Sequence, residues 1–285
     1  MTRNDNPPGE PFPPTSKKTI FNRLPTKWLL VIVLAVVLTG WLLNTPPGLE
    51  GKSDAVGYAV CHQIFERSFK INGQPISLCA RCTGMYVGVL LGLVYQLLLG
   101  RRRSAWPERK FQIVLAIFFI AFGIDGINSA ARLFLQHGLI YEPNNTLRLL
   151  TGTGMGLTMA AVILPTFNQT AWKQFSPDPY FQDWKQFGGM VAVGYTSAGL
   201  ILTELPAILI SFTIIGVLGV LAILMLLYTM LWMVVLRREN QVNHTSQLIP
   251  WILGGLITAF VHIALLDLGR FWLTGTWEGF HIEIG

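Results

Sequence analysis

Cys61-His62 and Cys79-Ala80-Arg81-Cys82 bring every cysteine of the chain into one short stretch, with a histidine beside the first. Thiolates and an imidazole at such spacing are the ligand types of a tetrahedral zinc centre. A CxxC pair is also the unit of thiol-disulfide exchange. Cys61, His62, Cys79 and Cys82 together make a Cys3His set that would close all four positions around an ion. Because neighbouring side chains diverge, one of Cys61 and His62 can instead stand behind the ligands and leave a position open for water or for a residue such as Asp125. Three ligands with an open position form the catalytic pattern, whereas four form a structural staple.

The surroundings of the CxxC favour ionised sulfur. The run Gln74-Pro75-Ile76-Ser77-Leu78-Cys79 reads as a turn entering a helix with Ser77 as N-cap. Cys79 and Cys82 then share a face near unpaired backbone amides, and Arg81 adds positive charge. Three thiols cannot all pair among themselves. Under the redox reading Cys61 is the resolving thiol, and a thiol partner or a quinone completes the relay.

Other ionisable residues fall inside apolar segments, where a charge costs about 2.5 to 3.5 kcal/mol on insertion scales. Asp125, Asn128 and Arg132 form one helical stripe, Arg148 and Thr151 open the next segment, and His262, Asp267 and Arg270 lie in the last. Asp125, Arg148 and His262 are the candidate catalytic groups, with Asp125 and Arg148 as partners of one another. With Glu204 they would line a polar vestibule, which also suits a transporter of polar solutes. Arg67 and Ser68 suit an anionic headgroup or an oxyanion; the plainer reading pairs Arg67 with Glu66 or Asp54 at the surface.

What must position these groups is a membrane bundle. The chain is 52% hydrophobic and 13% charged, with a mean hydropathy of +0.48. A helix needs about 20 apolar residues to cross the hydrocarbon. Stretches at 27–43, 83–99, 111–135, 147–167, 187–202, 206–235 and 249–273 approach that length. This predicts an all-α polytopic transmembrane helical bundle of about seven spans. Residues 1–26 read as a disordered cytoplasmic tail and 27–43 as an uncleaved anchor. Residues 44–167 hold the Cys/His segment and three spans, and 168–285 hold three more. Gly84, Gly88 and Gly92 leave one helix ridge bare for close packing.

Basic residues gather on one side of these spans, at Lys17, Lys18, Arg23, Lys27, Arg101-Arg102-Arg103, Lys173 and Arg237-Arg238. The other side carries only Lys52, Arg67, Lys70 and Arg81. The positive-inside rule therefore places the N-terminus in the cytoplasm and the Cys/His segment outside a prokaryotic inner (plasma) membrane. The formal charge of +6 is a topology signal, so the expected partner is the lipid bilayer and no nucleic acid. No CxxCH, phosphate-binding loop or HExxH helix occurs.

The segments Cys61-His62-Gln63-Ile64-Phe65-Glu66-Arg67-Ser68-Phe69 and Leu78-Cys79-Ala80-Arg81-Cys82-Thr83-Gly84 carry a resemblance, as do the later Asp125-Gly126 and Asn145-Thr146-Leu147-Arg148. They resemble the predicted membrane proteins of domain-of-unknown-function family 2085, over about residues 55–165. The resemblance implies a membrane protein and brings no activity with it.

Overall fold

The computed structural model describes residues 24–100, 102–135 and 137–279. Most of the expected disordered tail, residues 1–23, lies outside the described residues. The first helix, α1, begins at Leu24 and runs to Asn44, followed by α2 (Gly48–Val60), α3 (Ala80–Leu99), α4 (Arg109–Leu135) and α5 (Asn145–Ala171). α6 (Trp184–Ile201), α7 (Pro206–Val235) and α8 (Thr245–Thr274) complete the set, with the short strands β1 (Lys70–Ile71), β2 (Gln74–Pro75), β3 (Arg103–Ala105) and β4 (Ser176–Pro179) in the connections. The protein is an all-α, polytopic membrane bundle.

Among the described residues, six helices are long and apolar enough to cross a membrane: α1, α3, α4, α5, α7 and α8. Seven had been expected. α6 is helical over the expected fifth span, but it has only 18 residues, so its Trp184-Lys185-Gln186 opening and its Tyr195-Thr196-Ser197 run leave no apolar stretch long enough to cross. It packs on α3, α5 and α7 through Phe187, Met190 and Ala198, all buried.

Local sequence explains where helices start. Asn144 caps α5 by accepting from the Leu147 N–H at 2.9 Å, and Asp183 caps α6 by accepting from Gln186 at 2.8 Å. Pro206 opens α7, where its missing N–H costs nothing.

The axis of the bundle is the α3–α5 pair, as the glycine ridge predicts. A Cβ on Gly84 would lie 2.3 Å from the Leu149 carbonyl oxygen, and one on Gly152 2.2 Å from that of Arg81. No larger residue fits without separating the helices. At one end of the bundle, β3 pairs in parallel with β4, the Lys173 N–H donates to Val242 O at 2.9 Å, and Asn168 Nδ2 donates to Arg103 O at 2.7 Å. The connections after α3, α5 and α7 are thereby laced together. The cysteine-bearing segment lies at the opposite end, where it meets the start of α5 and the end of α8.

Candidate metal centre

Cys61 is the C-cap of α2, with its N–H still bonded to Gly57 O at 2.8 Å. Cys79 is the N-cap of α3, and Cys82 follows one turn later. These helix ends meet because Gly57 admits the backbone before Cys79: a Cβ there would lie 2.1 Å from Ser77 O. The three Sγ atoms all lie within 4.8 Å of one another. All three are free thiols, two buried and Cys82 half-buried. Zinc held at about 2.3 Å by thiolates spaces them roughly 3.8 Å apart in a tetrahedron. The set therefore fits such an ion with little movement.

The cluster already favours one thiolate. S–H groups of Cys61 and Cys82 donate to Cys79 and hold its thiol well below the ordinary range, against the effect of burial. Cys61 is pushed up to about 12, chiefly because it donates to Cys79. The Cys79 amide in turn donates to Cys61 Sγ at 3.2 Å. The amides opening α3 supply further positive potential at Cys79 and Cys82.

His62 does not join the close group of ligand atoms. Its Nδ1 accepts from the Ile64 N–H at 3.3 Å, which assigns the proton of the neutral ring to Nε2. Burial, foremost, lowers its pKa and keeps the ring neutral. The close group of candidate ligand atoms is therefore the three thiols without the imidazole.

The segment joining the two cysteine motifs is shaped by a hairpin. β1 and β2 pair antiparallel across Asn72-Gly73, both at positive φ (50° and 82°), the pattern of a type I′ turn. Ser77 is not the N-cap of α3. That position belongs to Cys79, and the Ser77 hydroxyl donates to Asp54 Oδ1 at 2.6 Å, a charge-assisted bond. Arg270, from the end of α8, donates to Tyr58 O at 2.7 Å and Cys61 O at 2.6 Å, and its guanidinium stacks 4.0 Å from the centre of the Tyr58 ring. The charge pattern had flagged Arg270 as an ionisable residue in a span, but its partners are backbone carbonyls more than two hundred residues away, which no local signal encodes.

Asp125 is almost completely buried, and its partner is Arg81, not Arg148. Arg81 Nε donates to Asp125 Oδ2 at 3.0 Å, and its Nη2 also contacts that oxygen. The Tyr141 hydroxyl donates to Oδ1 at 2.7 Å. Arg148 donates instead to Asn145 Oδ1 at 2.9 Å, one turn along its own helix. Arg67 is not a surface residue paired with Glu66 or Asp54: it is 4% exposed and donates to Ser129 O at 2.9 Å. Arg132 pairs with Glu142.

His262 is not brought to this end. It bonds to the Tyr228 hydroxyl at 2.8 Å between α7 and α8, two helical turns before Arg270, about 12 Å at 1.5 Å per residue. Glu204 is exposed on the α6–α7 turn. Asp125, Arg148 and His262 thus each bond to a different partner rather than to one another.

The model of a family described as predicted membrane protein (DUF2085) matches residues 61–162. An uncharacterised protein of Methanocaldococcus jannaschii is 33% identical over 121 residues, which cover 42% of this chain and 72% of that relative. The chain belongs to the DUF2085 family. An uncharacterised protein of Methanothermobacter thermautotrophicus is 32% identical over 104 residues, 36% of this chain and 83% of the relative. No solved structure matches. The DUF2085 region begins at Cys61 and ends within α5, so it contains the three thiols, Arg67, Arg81, Asp125 and Arg148. α6, α7 and α8, with His262 and Arg270, lie beyond it.

Proposed function

We propose that this DUF2085 chain is a membrane metal-binding protein, with Cys61, Cys79 and Cys82 holding zinc as thiolates on the outer side of a prokaryotic plasma membrane. The observation that carries this reading is the convergence of three free thiols from two helix ends within 4.8 Å. A thiol-exchange pair needs two such sulfurs; a third at the same point is what a metal requires. Softness of the donor set selects zinc or another thiophilic ion over magnesium or calcium.

With His62 outside the ligand set, the three thiolates would hold the ion, which would then supply Lewis acidity to a fourth ligand such as water. The chain's own residues set the environment of that ligand. Asp125 is a positioning residue, holding Arg81 between the two cysteines of α3. His62 offers a neutral ring with its proton on Nε2, and Arg270 fixes the backbone on which Cys61 and His62 sit.

A second reading, thiol-disulfide exchange led by Cys79, draws on the depressed pKa of that thiol. It requires an external thiol partner or quinone, since the chain has only three cysteines. Elemental analysis of the detergent-purified chain, with thiols counted after chelation and denaturation, separates the two. About one zinc per chain with all thiols reduced is the expected result. A metal-free protein with a Cys–Cys disulfide would sink the metal reading and point to exchange.

A further inference from the structure

Three arginines converge beside the thiol cluster with one carboxylate between them. Ser129 on α4 ties two together: its carbonyl accepts from Arg67 Nη2 and its hydroxyl from Arg81 Nη2, both at 2.9 Å. Asn145 brings in the third, since its Oδ1 accepts from Arg148 Nη1 at 2.9 Å while its Nδ2 donates at 3.2 Å to the carbonyl of Glu66, the residue before Arg67. Asp125 is occupied by Arg81 and Tyr141. Arg132 is neutralised by Glu142.

Among the described residues, Arg67 and Arg148 have no carboxylate partner. They are 4% and 6% exposed, and the Nε of each is buried with no hydrogen-bond partner. Burying a guanidinium unpaired costs several kcal/mol. Asp125, the carboxylate between them, supplies one negative charge. The three guanidiniums therefore stay in excess. Burial and the nearby Arg81 lower the pKa of Arg67, as expected for a cation short of counter-charge.

We propose that Arg67 and Arg148, with Arg81 behind them, form a binding site for a phosphoryl oxyanion next to the cysteine cluster. A carboxylate offers two oxygens, and those of Asp125 are taken by Arg81 at Oδ2 and Tyr141 at Oδ1. A phosphoryl group offers three and carries about −1.5 to −2 as a monoester at pH 7, so it can accept from two forks at once. The site lies between the last turns of α4 and the first turn of α5. The phosphoryl group is that of a soluble phosphate or of a headgroup. The proposal does not depend on the cysteines holding a metal.

The test uses the full chain, with inorganic phosphate titrated calorimetrically in detergent and phosphatidic acid retention measured by native mass spectrometry from phosphatidylcholine nanodiscs containing that lipid. Arg67→Gln and Arg148→Gln are expected to weaken binding about tenfold or more, as loss of a charge-assisted fork should. Lys70→Gln, an exposed charge on the same segment, should leave it unchanged. Saturable phosphate binding assigns a soluble ligand, and retention of phosphatidic acid alone assigns a headgroup. If the glutamine variants do not fold, Arg67→Lys and Arg148→Lys, which keep charge but lose the fork, should still weaken binding. Failure of both probes to bind the folded wild type overturns the site, as does equal binding by the arginine variants or equal loss in Lys70→Gln. Metal content measured on the same samples tells failure of this site from failure of the zinc reading.

Discussion

Arg81 on α3 and Asp125 on α4 form a buried ion pair, with Arg81 Nε 3.0 Å from Asp125 Oδ2 and the Asp125 side chain 1% exposed. The residue between the two cysteines is thus anchored to a different helix, so the orientation of the CxxC turn depends on α4. Removing one partner leaves a buried charge. Asp125→Ala should cost on the order of 3 to 5 kcal/mol, read as a lower melting temperature in detergent. Asp125→Asn, which keeps an acceptor for Tyr141, should cost less. A melting temperature unchanged in both would show that Arg81 needs no partner there.

Metal content should separate the ligands from their neighbours. Cys61→Ser, Cys79→Ser and Cys82→Ser are each expected to lower bound zinc severalfold against a competing chelator, while His62→Ala retains it. Loading the metal-free chain should also release protons, since Cys61 is held as a thiol and must ionise to bind. Zinc retained in all three serine variants would show that it sits elsewhere.

A pH dependence follows from Asp54. Burial, ahead of the opposing Ser77 hydrogen bond, raises its pKa above the ordinary 3.8. A raised carboxyl stabilises the fold fully below that ordinary value and loses the contribution as pH rises through its folded pKa. Asp54→Asn keeps an acceptor for Ser77 and carries no charge. Its melting temperature should therefore exceed that of the wild type at neutral pH, with the gap closing in acid. Thermal unfolding across pH would show it, and a variant less stable at pH 7 would contradict it.

The glycine contacts give a paired comparison. Gly84→Val places side-chain atoms where the Leu149 carbonyl stands, whereas a Cβ on Gly123 of α4 meets nothing within 4 Å. Overpacking on the α3–α5 contact should cost about 1 to 3 kcal/mol or more. Gly123→Ala should be neutral or slightly stabilising, since alanine is the better helix former. Equal behaviour of the two would mean that α3 and α5 do not meet this closely in the membrane.

What could be read from the chain alone divides along physical lines. The apolar runs and the glycine ridge report on local periodicity and packing, so the spans and a close helix contact on α3 were legible, though not that α5 makes it, and α6 falls short of a span because its polar residues dilute the signal. The three thiols were legible because their residue type is rare and clustered. Partners across space were not. Asp125 could have met Arg148 or Arg81, and only the close α3–α5 contact, with α4 alongside, selects Arg81. Ser77 looked like a cap because the sequence does not show that Asp54 lies within reach. The burial of Arg67 goes with its bond to the Ser129 carbonyl of α4, a partner 62 residues away that no local signal encodes.

The Arg270 clamp bears on the order in which the protein is made. The cysteines emerge from the ribosome with the first third of the chain, yet the side chain that fixes the Cys61 carbonyl belongs to α8, the last helix described. Until α8 is inserted, the α2 end that carries Cys61 and His62 lacks that anchor, while Cys79 and Cys82 already ride on α3. A nascent chain thus holds its thiol group half-restrained during biogenesis, until the arrival of α8 fixes the Cys61 end in place.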